Sequence, residues 1–128
     1  KSLCKKAVFI AGGSGISSLM AMIRYIVDKD LDTDFTLIFS NKTKENIIFR
    51  EELENLINKG FKIINTLTRD NGDDWKGETG RINKEMIKKY ADLDSVFYIC
   101  GLPDMVDDVR KELENLGIEK SRIKFEKY

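Results

Sequence analysis

What constrains this chain most is alternation. From end to end, short apolar runs of strand length take turns with longer segments whose apolar residues recur every three or four positions. Ala7, Val8, Phe9, Ile10 and Ala11 make an unbroken apolar run closed by glycines, the mark of a strand covered on both faces. Ile16, Leu19, Met20, Ile23, Ile26 and Val27 then fall on one face of a helix. Residues 35–39 read as a second strand. A second helix follows, with Phe49, Leu53, Leu56 and Ile57 inward and Gly60 as its C-terminal cap.

Residues 61–67 give a third strand, Ile82, Met86, Ile87 and Tyr90 a third helix, and residues 95–100 a fourth strand. Pro103 stands where a first helical turn tolerates a residue without an N–H. Asp104, Asp107 and Asp108 crowd that turn and suit its dipole, while Val106, Val109, Leu113 and Leu116 form the buried face. Residues 122–125 are the last strand. Strands joined through helices pair in parallel by right-handed crossovers. The expectation is an α/β fold: a five-stranded parallel doubly wound sheet, order 3-2-1-4-5, with helices on both faces. The 128 residues suit one domain over positions 1–128. Only residues 68–80, holding the sole tryptophan, Trp75, make a long loop, and long loops in compact domains tend to be functional or mobile.

Composition narrows the chemistry. Lys plus Arg and Asp plus Glu both number 22, so nothing pulls the chain toward nucleic acid. No run has the length of a membrane span and no signal pattern opens the chain, so the expectation is a cytoplasmic protein. The chain starts at Lys1 rather than methionine, which reads equally as a cut or processed piece or as a trace of purification. Cys4 and Cys100 cannot build a disulfide framework and fit no zinc spacing. Without histidine the commonest general base and metal ligand are missing, so no metal is expected and the chemistry must come from a bound group.

The turn after the first strand reads Gly12, Gly13, Ser14, Gly15, Ile16, Ser17, Ser18. Glycines there let backbone approach a ligand, and the following helix N-terminus offers unpaired N–H groups to a phosphate. The dinucleotide fingerprint asks for a third Gly or Ala where Ser18 stands, so a ligand-free tight turn competes with a pyrophosphate site; placement after the first strand favours the latter. The segment is no P-loop, since Ile16 follows Gly15. At the end of the second strand an NAD site places an acid on the ribose hydroxyls. Here stand Ser40, Asn41, Lys42, Thr43 and Lys44, which tilts the reading toward the 2′-phosphate of NADP, although either lysine alone reads as a solvated loop residue. The fourth strand ends in Cys100, Gly101, Leu102, Pro103, Asp104 and Met105. Ligands of such sheets bind beyond the strands' carboxyl ends, where Cys100 would lie, though an unpaired cysteine is more often a small buried hydrophobe.

At these residues the chain resembles the C-terminal nucleotide-binding domain of the ferredoxin–NADP reductase superfamily. Residues 11–16 look like its pyrophosphate loop, and residues 39–43 with 47–53 are similar to its second strand and helix. Residues 75–82 resemble the stretch before its third helix, and Tyr98, Ile99, Cys100 and Gly101 with Pro103 and Met105 resemble its nicotinamide-side motif. The match covers nearly the whole chain. Ser18 and Leu102 depart from it, since the family often has proline at the first and a small residue or proline at the second.

The resemblance implies hydride transfer between nicotinamide and flavin, with the cofactors carrying the chemistry and the protein supplying position. It implies NADP, or NAD, held here, and FAD held mainly by a separate domain, in cis or trans, for which this chain has no motif. An electron acceptor, protein or small molecule, would lie downstream, and the isolated domain would be inactive. Gly12, Gly13, Ser14, Gly15 and Ile16 would hold the pyrophosphate; Ser40, Asn41 and Lys42 the adenosine ribose or its phosphate. Cys100 and Gly101 would flank the nicotinamide, with Met105 supporting that turn. Arg81 would reach the nucleotide, against a reading as a surface arginine. Tyr128 would cover the flavin as a terminal aromatic does in some members, against a reading as a frayed end. Two rivals stand beside this: a flavodoxin-like or receiver-like module, and a regulatory domain that senses NAD(P)H without passing hydride. A receiver needs acids at the ends of the first and third strands, where this chain has Ala11, Gly12, Leu67 and Thr68.

Overall fold

The computed structural model describes residues 5–69 and 74–128; Cys4 and residues 70–73 of the long loop lie outside them. In chain order the elements are β1 (Lys6–Gly12), α1 (Ile16–Asp28), β2 (Asp34–Asn41), α2 (Arg50–Asn58), β3 (Lys62–Leu67), β4 (Glu78–Thr79), α3 (Lys84–Tyr90), β5 (Val96–Gly101), α4 (Pro103–Asn115) and β6 (Ile123–Lys127). They form one sheet in the order β4-β3-β2-β1-β5-β6, with every neighbouring pair parallel.

The strands read from the sequence hold the expected order, but the sheet has six strands rather than five. The addition is β4, inside the presumed loop. Thr66 and Leu67 of β3 pair with Glu78 and Thr79. The Gly80 amide then donates to the Leu67 carbonyl at 2.8 Å, and Thr66 Oγ1 donates to the Gly80 carbonyl at 2.7 Å. A two-residue strand is too short to show any period, so tertiary hydrogen bonds alone define it.

Each long strand feeds two cores. On β1, Ala7, Phe9 and Ala11 face α1 and α2, where they meet Leu19, Met20, Ile23, Leu53 and Leu56. Val8 and Ile10 face α3 and α4 and meet Met86, Ile87, Val106, Val109 and Leu113. Burial on both faces is why the run is apolar without interruption. The α1 side is the aromatic one: Phe9 stacks on Tyr98 at 5.4 Å and meets Phe35 edge-on at 5.8 Å. Each such ring contributes about 1.5–3 kcal/mol of burial.

Details of the helices correct the sequence reading. Phe49 is not in α2 but caps it, in the left-handed region at φ 58° with Arg24 5.0 Å above its ring, and Ile57 is exposed. Only Asp104 lies in the first turn of α4. Asp107 instead meets Lys127 at 2.9 Å, and Asp108 meets Arg81 at 3.6 Å. Gly60, at φ 97°, closes α2 as expected. β6 runs past residue 125, which sets Glu126 beside Cys100. No helix among the described residues is long and apolar enough to cross a membrane.

Candidate functional site

Because all the strands run the same way, their carboxyl ends share one rim of the sheet. Order reverses at β1, whose chain passes to β2 on one side and whose other neighbour, β5, comes later. Crevices of doubly wound sheets open at this point. Its floor is glycine. Gly12 ends β1, Gly13–Gly15 form a single 3₁₀ turn, and α1 starts at Ile16.

Four glycines here answer three demands. Gly13 has φ 54°, in the left-handed region that penalises a Cβ. A Cβ on Gly15 would sit 2.3 Å from the Cys100 carbonyl oxygen, so bare backbone alone lets this turn rest on β5. A Cβ on Gly12 would come within 2.8 Å of Met105 Cε, and one on Gly101 within 2.5 Å of the same methyl. The methionine thus packs over both glycines from the start of α4. The turn at residues 12–16 and the residues Cys100, Gly101 and Met105 lie side by side at this crevice. Ile16 is fully buried, so only its backbone can meet a ligand. No side chain caps α1 at Gly15. The Ile16 amide is taken by the Gly13 and Ser14 carbonyls of the 3₁₀ turn, and the amides that follow it have no side-chain cap.

Cys100 is buried against the α1-side core, as the plainer reading had it, and is the next-to-last residue of β5 at the crevice. Its thiol lies 3.8 Å from Glu126 Oε1. Tyr128 crosses the same ground. Its amide donates to the Gly101 carbonyl at 3.0 Å, and its hydroxyl lies 3.4 Å from both Ser18 Oγ and the Ser14 carbonyl. The Ser18 hydrogen bond pulls the phenol down, but the Cys100 sulfur, loss of solvent and the Glu126 charge together hold it above its ordinary value, so it stays neutral. Sequence reasoning missed Glu126, which becomes visible only through the register Cys100↔Glu126.

The β2 tip is one strand away, with Ser40 paired to Gly12. Asn41 is only 6% exposed, and its Nδ2 finds no acceptor. Its carbonyl accepts from the Thr68 amide at 2.9 Å, and the Lys42 carbonyl from the Arg69 amide at 3.0 Å. Lys42 is exposed. Lys44, however, bridges to Asp74 at 2.8 Å and holds that carboxyl below its ordinary range by hydrogen bond and charge. Glu78 in β4 takes the Tyr90 hydroxyl and, at 3.0 Å, Lys89; these partners hold its carboxyl low. Arg81 is exposed and spans to Asp108 of α4, and among the described residues no contact joins it to the glycine turn. No metal-binding group of three side chains gathers among the described residues. The crevice thus brings together a glycine turn at a helix start without a side-chain cap, the buried Cys100 thiol and the Tyr128 side chain.

Comparison with known proteins agrees with this geometry. The family model for the oxidoreductase NAD-binding domain matches residues 9–111. NADH-cytochrome b5 reductase 1 of Pyricularia oryzae is 38% identical over 122 residues, covering 88% of this chain and 39% of that protein. Nitrate reductase [NADH] of Volvox carteri is 34% identical over 124 residues, covering 90% of this chain and 14% of that protein. The cytochrome b5 reductase domain of Ulva prolifera nitrate reductase superposes with a TM-score of 0.89 at 27% identity, covering 98% of this chain and 51% of that one. The chain therefore spans well under two thirds of the curated relatives it matches.

Proposed function

The chain belongs to the oxidoreductase NAD-binding domain family, and from that premise we propose that it holds NAD(P)H for a flavin-dependent reductase whose FAD sits mainly on another domain. The observation that carries the proposal is the Gly15 contact. An uncapped helix start is pressed onto the carbonyl of Cys100 where only glycine fits. That contact fixes the phosphate cradle and the strand tip as one body.

In this role the N–H groups at the start of α1, with the Gly12–Ser14 backbone, take the pyrophosphate. Ser40, Asn41 and Lys42 take the adenosine ribose, and Cys100 and Gly101 wall the nicotinamide, with Met105 packed beneath. When bound, the nicotinamide would supply or accept a hydride in exchange with a flavin, the cofactors carrying the chemistry and these residues the position. Tyr128 spans Ser14 and Gly101 and so lies across the path between the two ends of the ligand. It covers the crevice and swings aside for nicotinamide. Arg81 stays in the proposal only as a residue released from Asp108 on binding. The acceptor downstream is a protein or small molecule met through the rest of the enzyme. The relatives' names, NADH-cytochrome b5 reductase and nitrate reductase, support an electron acceptor such as cytochrome b5 or nitrate.

The test is direct. Millimolar NADH or NADPH raises the melting temperature of the 128-residue protein. Cys100→Ala slows flavin reduction in the complete enzyme while nucleotide affinity holds. Absence of any shift with either nucleotide overturns the reading, and an unchanged reduction rate returns Cys100 to a packing role.

A further inference from the structure

We infer that the free edge of β6 docks a second copy of this chain, the two β6 strands pairing antiparallel about Phe125 so that two sheets run into one. The inference stands apart from the dinucleotide reading above. β6 is the outermost strand on the side away from β4, and no described strand lies beyond it. The other edge, β4, is only two residues long and offers little to pair with. The Tyr128 amide points inward to the Gly101 carbonyl of β5 at 3.0 Å, so strand alternation turns the backbone groups of Ile123, Phe125 and Lys127 outward. The Ile123 amide is taken by the Lys120 carbonyl. The Phe125 and Lys127 amides and the Ile123 and Phe125 carbonyls are left at an edge that no described strand covers. Such a row is a template for another strand.

The order of side chains says that the incoming strand is a second β6. Pairing about Phe125 sets Lys124 opposite the second copy's Glu126, and Glu126 opposite its Lys124. Both side chains are exposed and lie on the α1 face, beside Tyr98 and Cys100. Theirs is the pairing without backbone hydrogen bonds, in which side chains stand closest. In the same register Phe125 exchanges both outward hydrogen bonds with its own copy, and the Lys127 amide meets the Ile123 carbonyl. Sliding one strand by two residues, the smallest slip that keeps outward groups paired, sets Lys124 on Lys124 or Glu126 on Glu126, so charge fixes the register. A lone edge lysine repels a second copy; here each lysine meets an acid. On the α4 face Phe125 meets Phe125. That ring is 45% exposed although its neighbour on the same face, Ile123, is buried. Arg110 stacks 3.9 Å above it, and Arg110 Nε is buried without an acceptor, so this edge also carries an unmet donor. Antiparallel pairing points the two carboxyl rims to opposite ends, which leaves both crevices open. The ladder is short, so the dimer is weak, with a Kd on the order of 100 µM.

The test is sedimentation equilibrium of the 128-residue protein from about 10 µM to about 1 mM, a range that brackets this affinity. The mass rises from one chain toward two. Lys124→Glu sets acids face to face and Glu126→Lys sets amines face to face, and each weakens association about tenfold. The double variant Lys124→Glu with Glu126→Lys restores it, and an equal mixture of the two single variants associates better than either alone, because their edges are complementary. Circular dichroism checks that each variant is folded. Should a charge variant not fold, Phe125→Pro takes its place: it deletes an outward amide that the single chain does not use, and it leaves a monomer. A wild-type protein that stays monomeric over the whole range overturns the inference. So does association that ignores the charge reversals or is not restored by exchanging the charges, since the contact then lies elsewhere on the surface.

Discussion

The two ends of the crevice are built on opposite principles. At the glycine turn, position is set by atoms that are absent: Gly12, Gly15 and Gly101 leave room for the Cys100 carbonyl and the Met105 methyl. At the far edge, around the β2 tip and β4, position is set by added charge and hydrogen bonds: Lys44 to Asp74, Lys89 and Tyr90 to Glu78, and the Trp75 indole to the Glu78 carbonyl at 2.8 Å. Steric fit is unforgiving and insensitive to solution conditions. Charge pairing is tolerant and tuned by pH and salt. The near end should therefore fail outright when altered and the far end by degrees.

The harshest break of that contrast is Gly15→Val. Its Cβ would meet the backbone carbonyl of Cys100, which cannot step aside as a side chain would. We expect loss of dinucleotide binding and about 3 kcal/mol of stability, read by calorimetry and urea denaturation. Near-normal stability with binding intact would mean that the turn and β5 are not packed as described. Gly13→Ala is milder, since nothing lies within 4 Å of its Cβ and only the φ of 54° resists. Its cost is about 1–2 kcal/mol, with weakened rather than abolished binding.

The smallest effect comes from the far edge and is a matter of pH. The Tyr90 hydrogen bond, then Lys89, holds the Glu78 carboxyl below its ordinary value. A carboxylate held low in the folded state adds stability above about pH 4.3, the usual glutamate value, and loses it as pH falls through the lower folded value. The pair is partly exposed, so the amount is under about 1 kcal/mol. Trp75 reports on this edge, because its indole N–H is bound to Glu78. In acid its fluorescence should melt ahead of the far-ultraviolet circular dichroism, while at neutral pH the two coincide. Glu78→Gln should abolish the difference between the two conditions. Coincident melts throughout would show the edge to be no looser than the core.

The same contrast decides what could be read in the sequence. Ala7–Ala11 and the Ile16 helix announce themselves because period and glycine placement are local properties, and the order of the long strands follows from crossover rules. The glycines of residues 11–16 stand out by their place after the first strand, while the contacts that set them against Cys100 and Met105 join distant parts of the chain and carry no local signal. β4 was not, since two residues carry no period. Glu126 emerges only from register, and the helix cap at Phe49 only from a left-handed backbone that no glycine advertises. Lys44 looked equal to Lys42 because its partner lies thirty positions away in another loop.

Consider finally the pressing of Gly15 onto Cys100. In the function proposed above it welds the part of the crevice that would grip a ligand to the part that would aim it, so neither can drift without the other. A lineage can exchange the cations of the β2 tip one codon at a time and pass through working intermediates. At the weld, a first step lands in a clash that only a simultaneous second step relieves. Innovation in such domains should accordingly gather at the adenosine end, while the grip itself is inherited almost unedited.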